Sequence, residues 1–378
     1  MPAPDEILEN AFRHARNSLK KPLISNQQIL NRVSYVARNL SNRAGARMLI
    51  SCALAKIHRP DVDIRKPYTE IGDVDSFSGR AEYDEKYVWP FAAKYQLPVN
   101  ATTAFLTPGF RTINVPLALP LAISGRPKQM YIDTIQLLDD VYQEKITADL
   151  LLEETIRQLL LLKQEQEERM VQLVQALQTT THGVPLSVEE IVQLITQHLS
   201  SPKTSRLPVL LVAAAYQVAG NQLGETIRPL YPHNAADEQT GAMGDIEIML
   251  MEENRLVTCY EMKARAITIG DVEIALQKIA RAGTQVDSYI FITTASIDED
   301  VIEYAKTLYR ETNGIEFAIF DCIGFLRHFL HLFHRVRQDF LEAYQSLLLA
   351  EPESAVSQPV KELFLTLRRV AEFDRSDE

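Results

Sequence analysis

The stretch that decides the fold, residues 244–263, has the sequence GDIEIMLMEENRLVTCYEMK. Two apolar runs flank a short polar turn, and this pattern predicts a β-hairpin. Asp245 begins the first run, whereas Glu261 and Lys263 lie near the end of the second. Because side chains alternate along a strand, Glu261 and Lys263 are expected on one face and Met262 on the other. The hairpin would return Glu261 alongside Asp245 at one end of a sheet.

Two neighbouring carboxylates can bind Mg²⁺, a cation that prefers oxygen ligands. Asp245 and Glu261 are the predicted ligands, with the backbone carbonyl of Met262 as a third. Lys263 would orient or deprotonate an attacking water and offset the charge that develops on a phosphate. This set predicts metal-dependent phosphodiester hydrolysis. The alternative is that Glu261 and Lys263 form only a solvated ion pair at the edge of a strand.

The sequence after residue 203 alternates between helical and strand patterns, which predicts a mixed sheet flanked by helices. The predicted order is helix 208–220, strands 244–251 and 256–264, helix 272–282, strand 288–294, helix 299–312, strand 317–320 and a long helix to about 349. Glu225 follows the first helix and would hold a second metal ion through water. Gln277, on the second helix, would orient the nucleophile.

The net charge of −11 argues against a nucleic-acid partner, but the distribution of charge argues for one. Residues 10–60 contain ten Lys and Arg and no Asp or Glu, so that stretch is +10 and the rest of the chain is −21. Residues 86–132 and 191–224 also lack acids. A surface that meets a polyphosphate must supply bases and exclude carboxylates. The alternative is that these stretches are ordinary helices with few acids.

The length of 378 residues predicts a compact core with one elaborated region, or two domains. The division expected is a basic helical segment 1–60, a loop-rich DNA-recognition region 61–132, a helical connecting region 133–200, a catalytic core 201–350 and a polar tail 351–378. Three scattered cysteines without a CxxC pair predict neither a disulfide framework nor a zinc site. The apolar stretches are too short to span a bilayer, so a soluble, cytoplasmic protein without a membrane partner is expected.

A mixed-charge segment with turn-forming glycines, residues 65–85, suits the edges of DNA bases. The alternative is a solvated loop with internal ion pairs. The predicted DNA contacts are Arg65, Lys66, Arg80, Arg111, Lys203, Ser205 and Arg206. The last three precede the helix 208–220, whose N-terminus would help to bind phosphate.

The hairpin resembles the PD-(D/E)xK nuclease core, and several segments resemble the SacI family of type II restriction endonucleases. These segments are RKPYTEIGDVDSFSGRAEYDE (65–85), TAFLTPGFRT (103–112), SRLPVLLVAAAYQ (205–217) and GDIEI…YEMKAR (244–265). The resemblance extends over roughly residues 45–330. One departure is Gly244, which occupies a position where a proline often precedes the first acid.

The resemblance implies an α/β fold, a PD-(D/E)xK core with a large, mainly helical N-terminal region that contains loops. It also implies Mg²⁺-dependent, sequence-specific cleavage of double-stranded DNA, with Asp245, Glu261 and Lys263 in the catalytic positions. The target would be a short palindrome, GAGCTC by resemblance, cut by a homodimer whose two-fold axis matches that of the site. A DNA methyltransferase would be the genetic partner. Another DNA nuclease of the same fold, for repair or nicking, and a catalytically inert DNA-binding protein remain open alternatives.

Overall fold

The computed structural model describes residues 2–178, 185–202, 204–230, 242–283 and 286–373. The chain forms two compact units, residues 1–169 and 170–378. The finer division into five regions remains a prediction. No helix within the described ranges is long and apolar enough to cross a membrane.

Helices and loops form the first unit, and its described residues include no strand. The helices are α1 Pro4–Asn17, α2 Gln27–Ala37, α3 Ala44–His58, α4 Trp89–Lys94, α5 Lys128–Tyr142 and the first part of α6 Ala148–Gln178, with a π-helix Gly79–Val88 before α4. Residues 44–55 of α3 are all buried. A helix that is buried on every side is typical of the centre of a core.

The basic stretch 10–60 offers less positive charge to a polyanion than its composition suggests. Several of its ten bases form ion pairs with acids of the same unit: Arg32 with Asp140, Arg38 with Glu165, Arg47 with Asp84, and Arg59 with Asp61 and Glu82. The Arg47–Asp84 pair is fully buried at 2.7 Å. The positive charge of these arginines is therefore already balanced by acids of the same unit.

A five-stranded mixed sheet lies at the centre of the second unit. Its strands are β1 Glu225–Ile227, β2 Ile246–Leu250, β3 Arg255–Lys263, β4 Ser288–Thr293 and β5 Glu316–Asp321, in that spatial order. The first three are antiparallel, whereas β3, β4 and β5 are parallel. The predicted mixed sheet is thus present. β1 was not predicted, because three residues are too few to show a strand period.

Helices cover both faces of this sheet. They are α7 Val188–Leu199, α8 Leu207–Leu223, α9 Ile269–Ala282, α10 Glu299–Glu311, α11 Cys322–Leu332, α12 Arg337–Ala350 and α13 Gln358–Phe373. One apolar core packs α8 and the C-terminal helices against Ile246 and Met262. The other packs α9 and α10 against Cys259 and Tyr289. The single long helix expected to residue 349 is instead two helices, α11 and α12.

The prediction of a polar tail from residue 351 was wrong over residues 358–373, which form α13. Val360, Phe364 and Leu365 of this helix are buried in the core of the second unit. Their spacing places them on one face of a helix, with polar residues on the other. The polar composition of the segment concealed that amphipathic pattern.

The buried His198 on α7 should make the second unit sensitive to acid. Its Nδ1 contacts the hydroxyl of Tyr344 and its Nε2 contacts the carbonyl of Val360, both at 3.0 Å. Burial lowers the pKa of His198 from 6.5 to about 4. The unfolded chain therefore binds the proton first as the pH falls, and stability is lost between about pH 6.5 and 4.

We expect the His198 contribution to fall by about 2 kcal/mol between pH 7 and pH 5. Urea unfolding followed by circular dichroism at both pH values measures this change. His198→Phe, which has no titratable group at this position, should lose correspondingly less stability over the same interval. An equal pH dependence in both proteins would contradict the assignment.

Candidate functional site

Asp245 and Glu261 meet at one end of the β2–β3 pair. Ile246 pairs with Tyr260 in the antiparallel register, so Asp245 comes opposite Glu261. The N–H of Met262 donates to Oδ2 of Asp245 at 2.7 Å. The first acid is therefore tied to the backbone of the strand that carries the second, as the hairpin pattern predicts.

Three side chains from three different elements hold the carboxylate of Glu261. Lys263 on β3 lies 2.7 Å from Oε1, and Lys278 on α9 lies 3.3 Å from Oε2. The hydroxyl of Tyr289 on β4 lies 3.1 Å from Oε2, and its single proton is shared between Oε2 and the carbonyl oxygen of Met243. The Glu261 side chain is only 13% exposed, so these cations act where water screens them incompletely.

Sequence reasoning missed Lys278 and selected its neighbour Gln277. Gln277 is exposed, and no hydrogen bond from it to either acid occurs among the described residues. Val272, Ala275 and Ile279 form the buried face of α9. Residue 278 lies three positions after 275, so helical spacing alone would have placed it closer to the sheet than residue 277.

The segment that precedes Asp245 is anchored on both sides. The hydroxyl of Tyr289 lies 2.7 Å from the carbonyl oxygen of Met243, and the N–H of Met243 donates to Glu247 at 2.9 Å. Glu247 is itself buried and pairs with Arg228 at 2.7 Å. Burial raises the pKa of Tyr289, so its hydroxyl keeps the proton it donates. These contacts fix the position of the first acid.

The close packing of the sheet explains why residue 244 is a glycine, where a proline often precedes the first acid. A Cβ atom at this position would lie 2.5 Å from the carbonyl oxygen of Tyr260, a backbone atom of the neighbouring strand. Such a distance is too short for non-bonded atoms, and the sheet cannot relieve it by rotating a side chain. Residue 244 must therefore lack a side chain for β2 to begin where it does.

Glu225 lies away from the two acids, so its predicted role at a second metal was wrong. It pairs with Leu250 at the far end of β2, five residues from Asp245, or roughly 16 Å along the strand. Its carboxylate is hydrogen-bonded to Tyr216. Tyr216 in turn contacts Tyr260, which lies in the apolar core formed by α8 and the C-terminal helices. Burial raises the pKa of Glu225. A β1 strand between α8 and the hairpin, absent from the sequence prediction, causes this displacement.

Arg206 was a predicted phosphate contact, but it is buried in an ion pair with Glu351 at 2.9 Å. Its guanidinium therefore stabilises the fold instead of facing solvent. Ser205 is exposed just before α8. Lys203 lies outside the described residues.

The bases of the segment 65–85 form ion pairs with acids of the first unit, some inside the segment and some outside it. Arg65 pairs with Asp63 at 2.9 Å and with Asp139 at 3.0 Å, while Lys66 pairs with Asp73 and Asp75 at 2.8 and 2.9 Å. Arg80 is half exposed and pairs with Glu85 at 2.7 Å. A base contact from any of these would first have to break an ion pair. Arg111 is exposed and has no ion pair among the described residues.

The two acids and Met262 provide the kind of ligands that Mg²⁺ prefers. In a strand the N–H and C=O of one residue point to the same edge, so the Met262 carbonyl lies on the side of Asp245. All three groups offer oxygen atoms, which fits a hard divalent cation. Within the described ranges no cluster of three His, Cys, Asp or Glu side chains could hold a metal.

A match to a known protein family covers part of the second unit. Residues 185–294 match the family model of the SacI restriction endonuclease C-terminal domain, whereas no curated protein matches the chain. The matched region contains the 205–217 and 244–265 segments and with them Asp245, Glu261 and Lys263. The segments 65–85 and 103–112 lie outside it. The resemblance to the SacI family of restriction endonucleases that the sequence predicts is confirmed by this match over residues 185–294.

Proposed function

We propose that the chain is a type II restriction endonuclease that cleaves double-stranded DNA at a short palindrome in a Mg²⁺-dependent reaction. The observation that carries this proposal is the meeting of Asp245, Glu261 and Lys263 at one end of the β2–β3 pair, inside the matched region. The order of a helix, three antiparallel strands, a helix and a parallel strand supports a PD-(D/E)xK core. GAGCTC is the target proposed from the resemblance.

Asp245, Glu261 and the carbonyl of Met262 would hold the cation. When bound, Mg²⁺ would supply Lewis-acid activation of the scissile phosphate. Lys263 contacts Glu261 in this structure, and its ammonium group would orient an attacking water beside that acid and stabilise negative charge on the phosphate. Tyr289 and Lys278 would keep the Glu261 carboxylate in position.

A homodimer and a protecting methyltransferase complete the proposal. The two strands of a palindrome are related by a two-fold axis, so two copies of the chain would present one site to each strand. An enzyme of this kind would cut the DNA of its own host, and base methylation at the target would prevent this. The protein would therefore act in a restriction–modification system.

The test is digestion of a plasmid that contains one GAGCTC site, with Mg²⁺ or with EDTA. The proposal predicts one linear product with Mg²⁺, ends that map to the site, and no cleavage of a plasmid in which the site is altered. Cleavage at another fixed sequence would retain the enzyme class and correct the target. Random degradation would favour a nonspecific nuclease, and binding without cleavage an inert DNA-binding protein.

Lys278→Met should lower the rate of cleavage about tenfold, because Glu261 would lose one of its two cationic partners and Oε2 would be held less firmly. Single-turnover cleavage of the same plasmid measures the effect. Gln277→Met provides a matched control on the adjacent, exposed position of α9. A larger loss in Gln277→Met than in Lys278→Met would favour the original assignment of Gln277.

A further inference from the structure

Two segments of the first unit, the loop residues 107–111 and the residues 124–128 that lead into α5, are held together around the buried ring of Tyr131; we call them the Tyr131 loop pair. A Cβ atom on Gly109 or Gly125 would lie 2.4 or 2.1 Å from that ring, so the backbone of each segment packs directly against it. The hydroxyl of Ser124 also donates to the carbonyl of Pro108 at 2.6 Å. The two segments therefore form one surface with a fixed backbone.

The linker between α2 and α3 also contacts this surface, through hydrogen bonds from Asn42. The side-chain amide of Asn42 donates to the hydroxyl of Tyr131 at 2.8 Å and to the carbonyl of Arg126 at 3.1 Å. The ring of Phe110 packs edge-on against Tyr131 at 4.7 Å. Exposed loops with this much buried support lose little conformational entropy when a partner binds.

The Tyr131 loop pair carries three exposed bases, Arg111, Arg126 and Lys128. None of them has an ion pair in the part of the chain that the structure describes, in contrast to the paired Arg65 and Lys66. Both segments lie within the acid-free stretch 86–132. The surface thus combines positive charge, bases that are not already paired, and a stretch of sequence without carboxylates. These are the properties that binding of a phosphate backbone requires.

We propose that the Tyr131 loop pair is a contact surface for the phosphates of double-stranded DNA, with Arg126 and Lys128 acting beside Arg111. The proposal rests on the proposed function. Exposed guanidinium and ammonium groups on a rigid backbone would fix the position of the duplex without reading its bases. Sequence reading would come from other residues, so the surface should bind cognate and unrelated duplexes alike.

The test is the triple variant Arg111→Gln, Arg126→Gln and Lys128→Gln. Its affinity for a labelled 30-base-pair duplex with GAGCTC, and for one without it, is measured by fluorescence anisotropy in EDTA at several salt concentrations. Each lost phosphate contact should reduce the slope of log K against log salt by about 0.9. We expect an affinity about tenfold to a hundredfold weaker for both duplexes, with thermal unfolding unchanged.

The matched control is Arg281→Gln, Lys306→Gln and Arg310→Gln, three exposed bases of α9 and α10 whose loss changes the net charge equally. An equal loss of affinity in this control, or an unchanged affinity and salt slope in the first variant, would overturn the proposal. If the wild-type chain still cleaves DNA in that case, the proposed function stands and only this surface is refuted. If the wild-type chain binds neither duplex, the proposed function itself fails.

Discussion

Replacing Glu261 with glutamine should lower the rate of DNA cleavage by roughly a thousandfold or more, equivalent to about 4 kcal/mol of transition-state stabilisation. The substitution keeps the size of the side chain but removes the negative charge that would hold a divalent cation. It also removes the partner that Lys263 and Lys278 share at 2.7 and 3.3 Å. Single-turnover cleavage of the plasmid with one GAGCTC site measures this loss.

Affinity for DNA should be retained in Glu261→Gln, because loss of a carboxylate near the scissile phosphate reduces repulsion. Anisotropy with a duplex in EDTA tests this separation of binding from cleavage. Glu252→Gln is the matched control, since it makes the same chemical change in the exposed turn of the same hairpin. It should cleave at the wild-type rate. Wild-type cleavage by Glu261→Gln would exclude the proposed catalytic site.

The hairpin was predictable because both of its strands are apolar runs and the polar turn between them is short. Opposed acids follow from that pattern alone, and the register of β2 and β3 places them as expected. The placement of Glu225 was not predictable. It depends on β1, a three-residue strand that pairs with the far end of β2.

Charge was the least reliable signal in the sequence. Arg206 was selected for its residue type, but its partner Glu351 is 145 residues away along the chain. Arg65 pairs with its neighbour Asp63 and also with Asp139, which is 74 residues away. Only the three-dimensional fold shows which bases are already paired. Arg111 was selected on the same grounds and is exposed. Composition therefore identifies candidate DNA contacts, and the ion pairs of the folded chain show which candidates are already paired with an acid.

Gly244→Ala tests directly whether the structure leaves room for a side chain at residue 244. The new Cβ would lie 2.5 Å from the carbonyl oxygen of Tyr260, so the start of β2 must move away from β3. We expect a loss of stability of about 1–3 kcal/mol, as for other overpacked positions. Asp245 would move with the strand and weaken its bond to the N–H of Met262. A displacement of about 1 Å at such a site can cost roughly a hundredfold in rate.

Gly270→Ala is the matched control for this substitution. Gly270 lies in the first turn of α9, and a Cβ there would come no closer than 3.7 Å to the hydroxyl oxygen of Thr268. Alanine also favours the helix, so this variant should unfold at the wild-type temperature or slightly above it.

Thermal unfolding and single-turnover cleavage are measured for both variants. If Gly244→Ala matches Gly270→Ala in both measurements, the close approach of β2 to Tyr260 does not position Asp245. If Gly244→Ala is impaired in cleavage at a temperature where both variants are folded, the glycine is needed to position Asp245 as well as to let β2 pack against β3.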